Sequence, residues 1–325
     1  LDTTTVKLTL HDLTGFDGRV DAILLSADEG FTPPEDLAGT TALRRKLLQL
    51  PDEAPETAEY DLVVVGGGYA GLAAAISAAR QGLKTALVQD RPVLGGNGSS
   101  EVQVWAQGGT RRGLYPHLGE IVEEFADRAS NSPAADPAEF NDALKEQTAR
   151  AEKNLDLFLN TAVYGVTMDP TNKSILRSVT GLDTRTGKET RYRSKLFTDC
   201  TGHGTVGALA GASFLMEEKG RMGMSNMWVL KKTEKPMEWP ETPWALDLKP
   251  EDFPAPKVME PYGVKNKGNL TGFDPGYTPV ANAEDFLHGE WFWESGFDQD
   301  PINGLELIRD WNFRAVYGAV SSLKK

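Results

Sequence analysis

The clearest hydrophobic pattern in the chain lies between Tyr60 and Asp90. Residues 61–65 form a short apolar run, residues 69–80 carry alanine-rich helical spacing, Gly82 stops that helix, and residues 84–88 form a second apolar run. This pattern predicts a strand–helix–strand unit. Helical spacing returns over 117–129 and 137–153, where Asp136 before Pro137 predicts a capped helix start with proline at the first helical position. Strands are predicted around 155–167, 173–183 and 188–198, the last two joined by a hairpin turning at Thr186 and Gly187.

Elsewhere the pattern is less regular. Apolar positions alternate at Val6, Leu8 and Leu10, the chain turns through Gly15 and Gly18, and alternation resumes from Val20 to Leu25. That predicts a β-hairpin over residues 1–31, the end of an N-terminal β-rich domain. Residues 32–59, rich in Pro and Glu around one short basic helix, read as a linker. Residues 60–215 read as a Rossmann-like α/β domain, a parallel sheet with helices and a β-rich insertion, and residues 216–300 as an inserted substrate-facing domain. Residues 301–325 predict an amphipathic C-terminal helix. The chain starts on Leu1 and stops directly after a helical pattern, so the expectation is a piece of a longer protein, cut at both ends.

Composition narrows the function. At 325 residues and 40% hydrophobic, the chain can fill a sizeable core. With 34 Lys+Arg against 47 Asp+Glu, its net charge of −13 repels nucleic acid and anionic lipid. No window reaches the roughly 18 apolar residues that a membrane-spanning helix needs. Cys200 is the only cysteine, which excludes an intrachain disulfide and a cysteine-ligated metal or iron–sulfur cluster. The partner expected is a small-molecule substrate, with no nucleic acid, no membrane and no metal; a homo-oligomer stays open, as does export against a cytoplasmic location.

Gly66, Gly68 and Gly71 make a G-x-G-x-x-G between the first predicted strand and the helix that begins near Tyr69 and Ala70. Gly66 permits the tight turn, Gly68 lets the backbone approach a pyrophosphate, and Gly71 lets helix and strand come close. The helix start then offers free N–H groups to phosphate. About 20 residues further on, where an acid usually holds the ribose, stands Gln89, followed by Asp90. Gln89 can accept one ribose proton through its carbonyl, and Asp90 can share the task.

Two further stretches favour flavin over nicotinamide. "RPVLGGN" sets Arg91, Gly95 and Gly96 in R-x-x-x-G-G just after the second strand, and "KLFTDCTGHGTVGALAGA" runs a strand into Asp199-Cys200-Thr201-Gly202 before Gly204 opens a small-residue helix. Together they resemble the FAD-contacting loops of flavoproteins with the glutathione-reductase-like fold. The chain resembles FAD-dependent oxidoreductases of the group labelled FAD-dependent or heterodisulfide-reductase-A-like, whose bacterial members frequently carry an added β-rich domain. The resemblance covers residues 60–325, through "GGNGSSEVQVW", "WFWESG" and "IRDWNFRAVYGAV". It implies FAD as cofactor, with Asn97, Ser99, Thr201, Gly202 and His203 beside it. Members often carry an acid where His203 stands, and the heterodisulfide reductase cysteines are absent. Members also continue past this chain's end, with a last strand and helix that complete the flavin site.

Candidates for acid–base chemistry are Glu101, His117 and His203. Glu101 follows the flavin loop but can equally be a solvated carboxylate, and His117 in "YPHLGE" can equally cap a helix. Ser100 can be a turn residue, Arg111 and Arg112 can bind an anion or face solvent, and Cys200 reads as packing. Trp228, Trp239, Trp244, Trp291 and Trp293 can stack on a sugar-derived substrate or fill a core. The leading expectation is hydride transfer between a small molecule and flavin. The alternatives are an NAD(P)-dependent dehydrogenase and a non-catalytic binding or assembly protein that keeps the fold.

Overall fold

The structure is a computed structural model that describes residues 5, 7–11, 16, 20, 22–106, 111–126, 137–218, 220–226, 228–231, 233–249, 252, 257–259, 266–268, 286–289 and 294–324. The chain forms two compact units, one from Pro33–Met216 and one from Leu1–Thr32 with Glu217–Lys325.

The first unit is built on a six-stranded sheet. In chain order its elements are helix α1 (Leu37–Leu47), strand β1 (Tyr60–Val65), helix α2 (Tyr69–Arg80), β2 (Thr85–Val88), α3 (Glu120–Glu123), α4 (Asp142–Arg150), β3 (Leu155–Phe158), β4 (Thr161–Met168), β5 (Leu176–Asp183), β6 (Glu189–Asp199) and α5 (Thr205–Leu209). The sheet order is β3-β2-β1-β6-β5-β4. The first four strands are parallel, while β5 and β4 run antiparallel as a meander hung on β6.

Burial on both faces explains why β1 and β2 read as continuous apolar runs rather than alternating ones. Val64 and Leu87 join a core with Leu72, Ala75 and Ile76 of α2, plus Phe125 and Ala149. Val63, Val65, Ala86 and Val88 face the other way, onto Val179 of β5, Tyr192 of β6 and Val206 of α5. Each fully buried side chain of this size contributes about 1.5–3 kcal/mol of transfer free energy. The stop at Gly82 forms with φ +89°, a left-handed conformation that glycine adopts without strain.

Three local expectations are revised. The run predicted as one strand over 155–167 is two strands, β3 and β4, because Asn160 takes a left-handed φ of 55° and turns the chain from one edge of the sheet to the other. The helix expected over 117–129 is only Glu120–Glu123 among the described residues. The cap expected at Asp136 lies outside the described residues, and Asn141 caps α4 instead, its side chain accepting from Leu144 N–H.

The segment read as a linker is docked. Asp36 caps α1, Arg45 pairs with Glu189, and Thr57 N–H and Arg191 N–H exchange backbone bonds with Arg191 and Pro55 carbonyls, both at 2.9 Å. Those bonds add an edge to β6.

In the second unit, the described residues form helix α6 (Leu305–Lys324) and three short antiparallel strand pairs. Asn312 accepts from Ser295 Oγ at 2.6 Å and donates to the Met224 carbonyl at 3.1 Å, tying α6 to one of these pairs. Trp239 and Trp244 set their rings against Tyr317 with centroids 5.6 and 4.8 Å apart. The hairpin expected over residues 1–31 has no strand among its described residues, its predicted turn lies largely outside them, and Leu8, Leu10, Val20 and Leu25 are exposed. No helix of the described residues is long and apolar enough to cross a membrane.

Candidate cofactor site

The site forms where parallel strands end together. Val65 at the end of β1 pairs with Asp199 at the end of β6, Cys200 N–H donates to the Val65 carbonyl at 2.7 Å, and Gly66 N–H donates to the Val88 carbonyl at 2.8 Å. The glycine turn and the Asp199–Gly204 loop therefore leave the sheet side by side, though more than a hundred residues separate them in sequence.

The three motif glycines do three different jobs. Gly66 has φ +99°, and a Cβ there would stand 2.2 Å from the Cys200 carbonyl oxygen; a Cβ on Gly71 would stand 1.9 Å from the Gly66 carbonyl oxygen. Both close the backbone on itself. Gly68 is the opposite case, with nothing within 4 Å of its Cβ position and an extended backbone at φ −61°, ψ 176°. Helix α2 starts directly after it with no side-chain cap, so its first-turn N–H groups and positive dipole end are left for an anion. An open Gly68 face before an uncapped helix start fits a dinucleotide pyrophosphate.

All the expected cofactor residues except Gly71 and Ser99 line one cleft of about 700 Å³: Gly66, Gly68, Tyr69, Ala70, Gln89, Asp90, Arg91, Gly95, Gly96, Asn97, Thr201, Gly202 and His203. That volume lies within the range of about 300–1,000 Å³ usual for cofactor and ligand sites. Gly71 sits behind the turn. Ser99 is 2% exposed, its Oγ accepting from Glu101 N–H at 3.3 Å, so it acts on its own loop. The cleft is also lined by Val104 and Trp105, the end of the quoted stretch "GGNGSSEVQVW", and by Ala106, Thr161, Ala162 and Val163, which no motif announced.

The loops are fixed from behind. Asp199 accepts from Thr201 N–H and hydroxyl at 3.1 and 2.7 Å and from Gly207 N–H at 2.9 Å, which ties the returning loop to α5. Burial pushes the Asp199 carboxyl upward, and these donated bonds outweigh it, holding the group below the usual carboxylate range. Burial, then the Asp199 charge, pushes the Cys200 thiol up. Lys145 is fully buried, bonds the Phe140 carbonyl and lies 5.7 Å from the centre of the Tyr69 ring. Asp142 beside it accepts from Ser100 N–H at 3.1 Å.

Two of the three acid–base candidates are elsewhere. Glu101 is held in a two-bond ion pair by Arg91, at 2.8 and 2.7 Å, and does not line the cleft. His117 is exposed and pairs with Glu120, which also receives Arg111. Arg112 is exposed as well. His203 alone lines the cleft. Among the described residues no group of three His, Cys, Asp or Glu side chains is placed to hold a metal ion.

A parallel sheet with G-x-G-x-x-G at its first turn, a crossing meander and a returning strand defines a dinucleotide-binding flavoprotein architecture. The chain belongs to the FAD dependent oxidoreductase family, whose model matches residues 61–295, and its cofactor is FAD. It is 28% identical over 167 residues to the tRNA uridine 5-carboxymethylaminomethyl modification enzyme MnmG 1 of Fusobacterium nucleatum, a match covering 44% of this chain and 26% of that enzyme. The chain thus spans about a quarter of that relative's length. Among solved structures it is similar to THI4 of Thermovibrio ammonificans (23% identity, 54% of this chain and 69% of that one, TM-score 0.34). It is also similar to a geranylgeranyl bacteriochlorophyll reductase-like protein of Thermoplasma acidophilum (18% identity, 57% and 49%, TM-score 0.34).

Proposed function

We propose that this chain is the FAD-binding part of an enzyme that moves hydride between a small-molecule substrate and flavin. The observation that carries the reading is the open Gly68 face before the uncapped start of α2, flanked by the two loops that leave β1 and β6. In this reading the backbone from Gly66 to Gly71, with Tyr69 and Ala70 in the first turn, receives the pyrophosphate. Gly95, Gly96 and Asn97 on one side, and Thr201, Gly202 and His203 on the other, pass along the extended cofactor.

Bound FAD supplies the hydride chemistry itself, so the protein's task is to position, to exclude water and to set local charge. His203 is the one acid–base candidate able to exchange a proton within the cleft. Glu101 is held by Arg91 in an ion pair and His117 by Glu120 in a hydrogen bond, both outside it. The curated relative acts on tRNA by its name, but a net charge of −13 opposes a polyanionic substrate here and supports a small molecule. A sugar-derived substrate rests on the tryptophan-rich stretch alone. Trp239 and Trp244 pack on Tyr317, and Trp291 and Trp293 lie outside the described residues.

The test has two stages. Purified chain titrated with FAD and with NAD should bind FAD and leave NAD unbound; tight NAD binding without FAD binding would favour the dehydrogenase reading. Anaerobic mixing of the FAD-loaded full-length protein with a panel of sugars, sugar acids and amines should bleach the flavin absorbance for at least one class. No bleaching across the panel, with FAD bound, would support a binding or assembly role.

A further inference from the structure

We infer that Gln89 is a positioning residue that braces the two cofactor loops against each other, and that the Asp90 carboxylate accepts the adenosine ribose hydroxyls of FAD. The inference rests on the FAD reading and divides the work within that site.

The Gln89 side chain is 4% exposed and committed at both ends. Its Oε1 accepts from Gly67 N–H at 2.6 Å, and its Nε2 donates to the Val93 carbonyl at 3.2 Å. Gly67 lies in the glycine turn and Val93 in the loop that leads to Gly95, so one carboxamide ties the two together. The main chain of Gln89 is committed too, with its N–H on the Phe158 carbonyl and its carbonyl on Thr161 N–H, both at 2.8 Å.

Only a group with both a donor and an acceptor can make this strut. A carboxylate at position 89 would satisfy Gly67 N–H and set its other oxygen against the half-buried Val93 carbonyl, leaving that carbonyl without its donor and facing a like partial charge. Glutamine in place of the usual acid is therefore what the two loops require. The ribose hydroxyls still need an acceptor that is open to the cleft. Asp90, the next residue, is exposed and lines the same cleft, and its carboxylate makes no hydrogen bond among the described residues.

The apo form of the full chain and of Asp90→Ala, Gln89→Glu and Gln89→Ala would be titrated with FAD, ADP and 2′,3′-dideoxy-ADP, and melted without ligand. The two nucleotides differ only in the ribose hydroxyls. Wild type should prefer ADP by about tenfold, the scale of hydrogen bonds to a charged acceptor. Asp90→Ala should lose that preference and melt as wild type does. Gln89→Glu should keep the preference yet melt lower, and Gln89→Ala, if it folds, should weaken both nucleotides by one common factor. A preference that survives Asp90→Ala, or vanishes in either Gln89 variant, would overturn the assignment. So would a Gln89→Glu that melts at the wild-type temperature. Wild type that binds neither FAD nor ADP would instead remove the FAD reading on which this one stands.

Discussion

Substituting Gly68 by alanine separates the cofactor role of the glycine turn from its folding role. At φ −61° and ψ 176° alanine is unstrained, and its methyl meets no atom within 4 Å. Restricting the unfolded chain stabilises the variant by about 0.4–1 kcal/mol, while replacing glycine by alanine at a helix N-cap costs a similar amount, about 0.5–1 kcal/mol. The two nearly cancel, so the apoprotein should melt within about 4 °C of wild type for a domain of this size. The same methyl projects into the face that the pyrophosphate must approach. Losing one charged hydrogen bond costs about 1.5–3 kcal/mol, which converts to FAD binding about ten- to a hundredfold weaker. Titration of flavin fluorescence and thermal unfolding of the apoprotein read the two effects separately. Wild-type FAD affinity, or an apo melting temperature lowered well beyond that margin, would refute the argument.

The contrasting substitution is Gly71→Ala, whose Cβ would stand 1.9 Å from the Gly66 carbonyl oxygen; overpacking of this kind costs about 1–3 kcal/mol or more, and apo melting should show it. Asp199 should shape the acid limb of stability. Its carboxyl is held below its unfolded value, so its contribution is present above the ordinary carboxylate pKa and is lost as pH falls through the folded one; Asp199→Asn should flatten melting temperature against pH in that acid window. Cys200, with its thiol pushed up by burial, should react slowly with iodoacetamide at pH 8 and rapidly after unfolding, and equal rates would contradict its placement. Glu101→Gln should change stability by less than about 1 kcal/mol, because its partner Arg91 is 60% exposed, and should leave the pH profile of flavin reduction unchanged.

The dinucleotide unit was legible because each of its signals is local. An apolar run, three spaced glycines and an alanine-rich helix need no knowledge of the rest of the chain, and β1, α2 and β2 form within a residue of expectation. The returning loop was legible as a second local motif. What sequence could not show was set by tertiary placement. Thr161, Ala162 and Val163 reach the cleft only because Asn160 turns the chain and the meander folds over the sheet face opposite α2. Glu101 reads as a free base until Arg91, ten residues earlier, is seen to hold it. Gln89 reads as a weakened ribose ligand until both ends of its amide are traced. The tryptophans read equally as a sugar platform or as core, and Trp239 and Trp244 pack against Tyr317.

Strand β6 gives the site an order of assembly during synthesis. Its first residues pair with β5 and its last with β1, joining Tyr60 to Ser194 across the whole intervening chain. Contacts so distant in sequence form late, after the loop-closure entropy of the intervening residues has been overcome. A ribosome-bound chain ending before Ser194 would already hold the glycine turn and α2, yet lack the strand that sets the opposing loop beside them. In the FAD reading, one side of the cofactor cleft would therefore be missing from the nascent protein until β6 and α5 have emerged.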